Sequence, residues 1–262
     1  MRSIFASFIV AVILTSGAVA GPLDDARRAF ESGDYATAIG ILRRLAEQGN
    51  HEAQHTLAYR YVNGEGVLQD YAEAAKWFRQ AAEEGYVPAQ VSLGYAYVIG
   101  QGVQQDFSEA EKWYRLAAEH GDAAAQDGLG LMYLGGTGVA QDDAEAAKWF
   151  RRAAEQGYPA AQCNLGTSYA TGRGVPQDYA EAMKWYRLAA EQGFPQGQYD
   201  LGIMYAEGEG VPQDYVRAHM WFNLAATNGF KEAAQDRETV AARMTPAQIA
   251  EAQKLAREWR PK

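Results

Sequence analysis

The sequence predicts an all-α chain whose helix pairs stack side by side into a solenoid. Three observations carry this. The chain repeats every 36 residues: Trp77, Trp113, Trp149, Trp185 and Trp221 keep that step, as do Leu57, Leu93, Leu129, Leu165 and Leu201. So do Tyr61, Tyr97, Tyr133, Tyr169 and Tyr205. Within a unit, apolar residues recur at helical spacing, with Ala89, Leu93 and Tyr97 stepping by four along one face. Each unit is also punctuated at fixed places. Gly-x-Gly-Val begins at Gly64, Gly100, Gly136, Gly172 and Gly208, and Asp70, Asp106, Asp142, Asp178 and Asp214 follow it.

In chain order, residues 1–20 read as an address. Met1-Arg2 is a short positive start, Ile4 to Leu14 is uncharged, and Ala18-Val19-Ala20 is an A-x-A cleavage signal. This is the layout of a secretory signal peptide, too short in its apolar part to span a bilayer of about 30 Å. The expected mature chain starts at Gly21, is exported, and carries no membrane span. Residues 21–49 suit a shorter helix pair turned at Gly33-Asp34-Tyr35.

Five units fill residues 50–229 without an insertion. In the unit that begins near Pro88, Gly100 and Gly102 stop the first helix. Asp106 caps the second, with Glu109 placed to complete a capping box. The same pair recurs as Asp70/Glu73, Asp142/Glu145 and Asp178/Glu181, while Arg217 stands where the last unit would have Glu, which predicts a weaker cap there. Ala110, Trp113 and Ala117 form the apolar stripe of the second helix, and Gly121 closes it. Neither helix is apolar enough to stand alone, so neighbouring units must share one core. Residues 230–262 suit two closing helices, the second capped by Thr245 with Pro246 at its first position.

The repeated Ala89, Leu93-Gly94, Tyr97, Gly100-Gln101-Gly102-Val103, Asp106, Ala110, Trp113, Ala117-Ala118 and Gly121 resemble the sel-1-like repeat family, a relative of the tetratricopeptide repeats. Ala58 departs from the pattern where other units have Gly. The short N-terminal unit is similar to the tetratricopeptide version. The resemblance implies a right-handed α-solenoid with a binding role, since members serve as adaptors for protein complexes, often in bacterial envelopes. On that ground the periplasm is favoured over full secretion.

Composition narrows the function. Lys+Arg 24 against Asp+Glu 33 gives a net charge of −9, which lacks the electrostatic footprint for nucleic acid. One cysteine, Cys163, rules out an internal disulfide framework and a multi-cysteine zinc site. The histidines at 51, 55, 120 and 219 are scattered, and no cofactor or metal is expected. The Gly-x-Gly loops lack the strand–turn–helix setting of a phosphate cradle. No zinc-protease His pair, nucleophile elbow or Ser-x-x-Lys is present, so the chain reads as non-catalytic. Some exported, cysteine-rich relatives are linked to β-lactam binding or hydrolysis. A weak hydrolase or binder of cell-wall or β-lactam compounds is therefore the alternative, although the paired cysteines are absent.

Positions that vary between units are free to face a ligand. On the first helix these are the equivalents of 88, 91, 95, 98 and 99, spaced by three and four on one face and away from the Leu93/Tyr97 side. They supply His55, Tyr59 and Val62, then Val91, Tyr95, Val98 and Ile99, then Asp127, Leu131 and Leu134. Thr167 and Thr171 follow, then Tyr199, Ile203 and Glu207. Such a strip, lining the concave groove, suits a peptide or protein partner, with Tyr59, Tyr95 and Tyr199 as anchors. Expressed from its first residue, the chain should be recovered with Gly21 at its N-terminus. N-terminal sequencing checks this, and uncleaved protein held in the cytoplasm would contradict it.

Overall fold

The computed structural model describes residues 21–261, so the expected signal peptide lies outside the described residues. Among them are fourteen helices and no strand. The first pair is α1 (Pro22–Glu31) and α2 (Tyr35–Glu47). Five pairs follow: α3 (His51–Asn63) with α4 (Tyr71–Glu83), α5 (Val87–Ile99) with α6 (Phe107–Glu119), and α7 (Ala123–Gly135) with α8 (Asp143–Glu155). Next come α9 (Pro159–Thr171) with α10 (Tyr179–Glu191) and α11 (Pro195–Glu207) with α12 (Tyr215–Thr227). The chain closes with α13 (Glu232–Ala241) and α14 (Pro246–Glu258), both packed on α12. Each helix packs on the next along the chain from α1 to α13, which is the stacked-pair solenoid the period predicts.

The loop glycines work at close quarters. Gly100 ends α5 in the left-handed conformation at φ 70°. Gly102 is also at positive φ, and a Cβ there would strike the Tyr71 carbonyl at the start of the previous unit's second helix. The loop thus packs on a neighbour.

The capping box expected at Asp-x-x-Glu is only half made. The Asp106 carboxylate accepts from the Ser108 and Glu109 N–H groups, and Asp70 and Asp142 cap their helices in the same way. The reciprocal bond is missing because its donor is taken. The Asp70, Asp106, Asp142, Asp178 and Asp214 N–H groups all donate to the carbonyl of the repeated tyrosine, at 2.9–3.1 Å. The glutamates turn instead to the lysine three residues on, as in Glu73–Lys76 and Glu145–Lys148, both at 2.8 Å. Arg217 therefore forfeits no box. Asp214 accepts from the Arg217 N–H at 3.0 Å and pairs with its guanidinium at 3.4 Å, so the weaker cap expected there is not found.

Each core sits at a junction between units. Ala110, Ala117 and Ala118 of α6 pack with Ala125 and Leu129 of α7 and with Trp149 of α8. The same set recurs as α4, α5 and Trp113. The aromatic residue after each tryptophan lies over the Leu-Gly glycine. A Cβ at Gly94 would come within 2.8 Å of the Tyr114 ring, one at Gly166 within 2.6 Å of Tyr186, and one at Gly130 closer still to the edge of the Phe150 ring. These glycines make room for a ring more than for a backbone. In the first unit, fully buried Ala58 packs in the same cluster as Phe78.

Two polar ladders cross these junctions. Gln54, Gln90, Gln126, Gln162 and Gln198 are buried, and each donates to an alanine carbonyl in the last turn of the preceding second helix, at 3.1–3.5 Å. Arg43, Arg79, Arg115 and Arg151 donate to the hydroxyls of Tyr61, Tyr97, Tyr133 and Tyr169 in the next unit, at 2.6–3.0 Å.

Trp149→Ala should cost about 3–5 kcal/mol in urea unfolding, since it empties a junction that two units share. Gly130→Ala should cost about 1–3 kcal/mol by overpacking against Phe150. Combining it with Phe150→Leu should cost less than the sum of the two single changes. Strict additivity would mean that the ring does not occupy the glycine's space.

Candidate partner-binding face

Hydrogen bonds in a register of 37 residues join the first helices α3 with α5 and α7 with α9, and α11 with α13. His55 Nε2 meets Ser92 Oγ at 3.2 Å, Asn164 donates to Asp127 at 2.8 Å, and Tyr199 donates to Asp236 of α13 at 2.8 Å. This register sorts the variable positions into rows. The row His55, Val91, Asp127, Cys163, Tyr199 points at the neighbouring helix and is half-buried or buried throughout. The next row, Tyr59, Tyr95, Leu131 and Thr167, is exposed, with Ile203 half-buried. Val62, Val98 and Leu134 are half-buried, while Ile99, Thr171 and Glu207 are exposed.

The inward row is therefore a packing row. His55 sits among the rings of Tyr59, Phe78 and Tyr86, with centroids 4.9–5.5 Å away, and burial pulls its pKa down to about 4, so it is neutral at pH 7. Tyr199, expected as an exposed anchor, stacks on Phe230 at 4.5 Å and is held by Asp236. Cys163 is buried, and burial, then Asp200 and Asp127, push its thiol up, which disfavours the nucleophilic thiolate.

Two cavities open on this face. One of about 500 Å³ is lined by Tyr59, Val62, Val91, Tyr95, Asp127 and Leu131, together with Phe78, Tyr114 and Tyr158. A second, of about 300 Å³, gathers Tyr199, Ile203 and Glu207 with Tyr215, Asp236 and Arg243. His55, Val98, Ile99, Leu134, Thr167 and Thr171 line neither. Phe78, Tyr114 and Tyr158 were not expected, because the variable positions were sought on first helices alone. Two of them belong to a series that keeps the 36-residue step, Phe78, Tyr114, Phe150, Tyr186 and Phe222, which was the available signal.

Two carboxylates on this face are shifted. Burial pushes Asp127 up to about 6, against the opposing pull of its hydrogen bond from Asn164. Burial pushes Asp200 up to about 7, against a hydrogen bond from Gln196, and its Oδ2 is buried without a partner. Among the described residues, no cluster of three His, Cys, Asp or Glu side chains could hold a metal, and no helix is long and apolar enough to cross a membrane.

The family model described as Sel1 repeat matches residues 51–86, 87–122, 123–158, 159–194 and 195–230. No curated protein matches the chain. A protective antigen present in uropathogenic Escherichia coli strains and displaying an SLR fold superposes with a TM-score of 0.79 at 37% identity, over 90% of this chain and 53% of that one. The chain thus spans about half the length of that antigen. A Sel1 repeat protein from Oxalobacter formigenes superposes with a TM-score of 0.78 at 31% identity, over 93% and 99% of the two chains. An immunity protein from Pseudomonas aeruginosa, at 20% identity and a TM-score of 0.53 over 80% and 83%, shares the fold alone.

The Asp200 carboxyl yields a pH prediction. Unfolded, it ionises near 3.8; folded, it holds its proton to about 7. Between those values the native state keeps a proton that the unfolded chain has lost, so this group lowers stability as pH rises through the window. Asp200→Asn removes that dependence. The stability of the variant relative to the parent should climb by on the order of 3 kcal/mol from pH 4 to pH 8 in urea titrations. A difference that stays flat with pH would contradict the assigned environment.

Proposed function

The chain belongs to the Sel1 repeat family, and from that membership we propose that it is a non-catalytic scaffold holding a segment of a partner protein against its first helices, in the cavity shared by units one to three. Sel1 repeat proteins generally mediate protein–protein interaction. One observation supports the choice of surface. Tyr59, Tyr95 and Leu131 occupy one repeat position in three successive units, are 44%, 56% and 48% exposed, and rim the larger cavity. Exposed large apolar side chains in a row around a concavity form a surface that a partner's side chains can fill. Tyrosines anchor such contacts well, having few rotamers to freeze and a hydroxyl to satisfy. The site of action is the bacterial envelope, reached through the N-terminal export signal, with the periplasm as the compartment and an envelope protein as the partner. The family's adaptor role and the layout of residues 1–20 support this.

The combined variant Tyr59→Ala, Tyr95→Ala, Leu131→Ala tests the surface. Leu131 is preferred to Tyr199, which Phe230 and Asp236 hold within the stack. A partner drawn from envelope extract and identified by mass spectrometry should bind the triple variant at least about 100-fold more weakly, while far-UV circular dichroism stays unchanged. Lys148→Ala, at an exposed position of α8, should bind as the parent does. Equal loss in both variants, or in neither, would move the site elsewhere.

A further inference from the structure

The larger cavity is lined mainly by aromatic and aliphatic side chains, with Ser92, Gln101 and Asp127 among them. Among its lining side chains only Asp127 carries a charge, and no lysine or arginine lines it. Asp127 is 6% exposed. Asn164 donates to one carboxylate oxygen at 2.8 Å, and among the described residues no donor reaches the other. Tyr95, Tyr114 and Tyr158 line the same cavity as this carboxylate, so three phenols and one anion share the space. A buried carboxylate without a counter-ion carries a desolvation cost that a fitting cation offsets. Phenol rings around an anion add cation–π attraction, and the net charge of −9 sets the long-range field the same way. The rim, in contrast, is Tyr59, Tyr95 and Leu131, which suits methylene groups. An apolar passage that ends on one anion has the polarity profile of a lysine or arginine side chain, with its hydrocarbon stem and charged head.

We propose that this cavity is built for a basic side chain: it takes a lysine or arginine presented by an extended segment of the partner, with the stem against Tyr59, Tyr95 and Leu131 and the charged head on Asp127. The assignment rests on the reading of this face as the partner site and adds the chemistry of the occupant.

The probe is a phage-displayed library of random nine-residue peptides, selected on the whole protein. The recovered peptides should share a Lys or Arg at one fixed position. In titration calorimetry, replacing that residue by norleucine (for Lys) or citrulline (for Arg) should weaken binding about 30-fold or more. Asp127→Asn should weaken the basic peptide to a similar degree and leave the neutral peptide nearly unaffected. The norleucine and citrulline comparisons use only the parent protein, so they stand even if the Asp127 variant folds poorly. Peptides that need Tyr59 and Tyr95 but show no basic position, or tolerate its neutral replacement, would overturn the cation assignment and leave the groove intact. Peptides indifferent to Tyr59→Ala and Tyr95→Ala, or no selected peptides at all, would overturn both.

Discussion

No unit of this chain buries its own apolar stripe, and the rest of the structure follows from that. Each core closes only when the last turns of one second helix meet the first helix and the tryptophan of the unit that follows. Leu57, Leu93, Leu129 and Leu165 are completely buried at these junctions, and Leu201 nearly so. The contact surface between units sets an alanine pair beneath a leucine, while a glycine beneath an aromatic ring closes each helix pair from within. Because the complementarity lies between units, the step from unit to unit is fixed wherever the packing is. This is how a 36-residue period becomes a regular array.

Close junctions strand polar groups, and two ladders deal with them. The buried glutamine of each first helix adds a side-chain donor to a carbonyl in the last turn of the preceding second helix, which also accepts the N–H of the glycine three residues on. Its own oxygen is satisfied only in later units, where Gln156, Gln192 and Asn228 supply an amide. In the first two units Glu84 and His120 stand at that place, and the oxygens of Gln54 and Gln90 have no partner. The arginine-to-tyrosine bonds do similar work nearer the surface, tying α2, α4, α6 and α8 each to the next first helix, while Tyr205 accepts from Arg217 within its own unit. A uniform scaffold therefore carries non-uniform junction strength, with the less satisfied ones toward the N-terminus.

The architecture was legible because period, helical spacing and glycine punctuation agree at every unit. What stayed hidden was register. Nothing in the sequence says that neighbouring first helices are offset by one residue, so that position 55 meets 92, 127 meets 164 and 199 meets 236. That offset turns the row from His55 to Tyr199 inward and leaves the row from Tyr59 to Thr167 facing out. Asp127 and Tyr199 looked like solvent-facing groove residues for this reason. The half-made capping boxes failed for a related one. Asp-x-x-Glu is a local signal, but the N–H it needs was already engaged by the tyrosine carbonyl across the loop. The glutamine and arginine series keep the same step as the tryptophans, yet their role depends on a neighbour that composition does not name.

The repeats also explain why the site is not spread along the whole face. At the outward row the series Tyr59, Tyr95, Leu131 breaks to Thr167, whose hydroxyl lies 3.1 Å from that of Tyr186 and occupies it. In the equivalent earlier unit the Tyr114 ring lines the open cavity. Beyond the break, α13 docks on α12, with Asp236 and Phe230 tethering Tyr199, so the last unit's aromatic serves the closing helices. The run of exposed large apolar side chains in the outward row is thus confined to units one to three, and there the scaffold tolerates a buried carboxylate at a position that holds valine in the preceding unit. Asn164 satisfies one of its oxygens, yet an apolar residue of similar size would be easier to bury at that point. Where a repeat array departs from its cheapest residue beside a largely apolar cavity of about 500 Å³, the departure is better explained by what enters the cavity than by what holds the helices together.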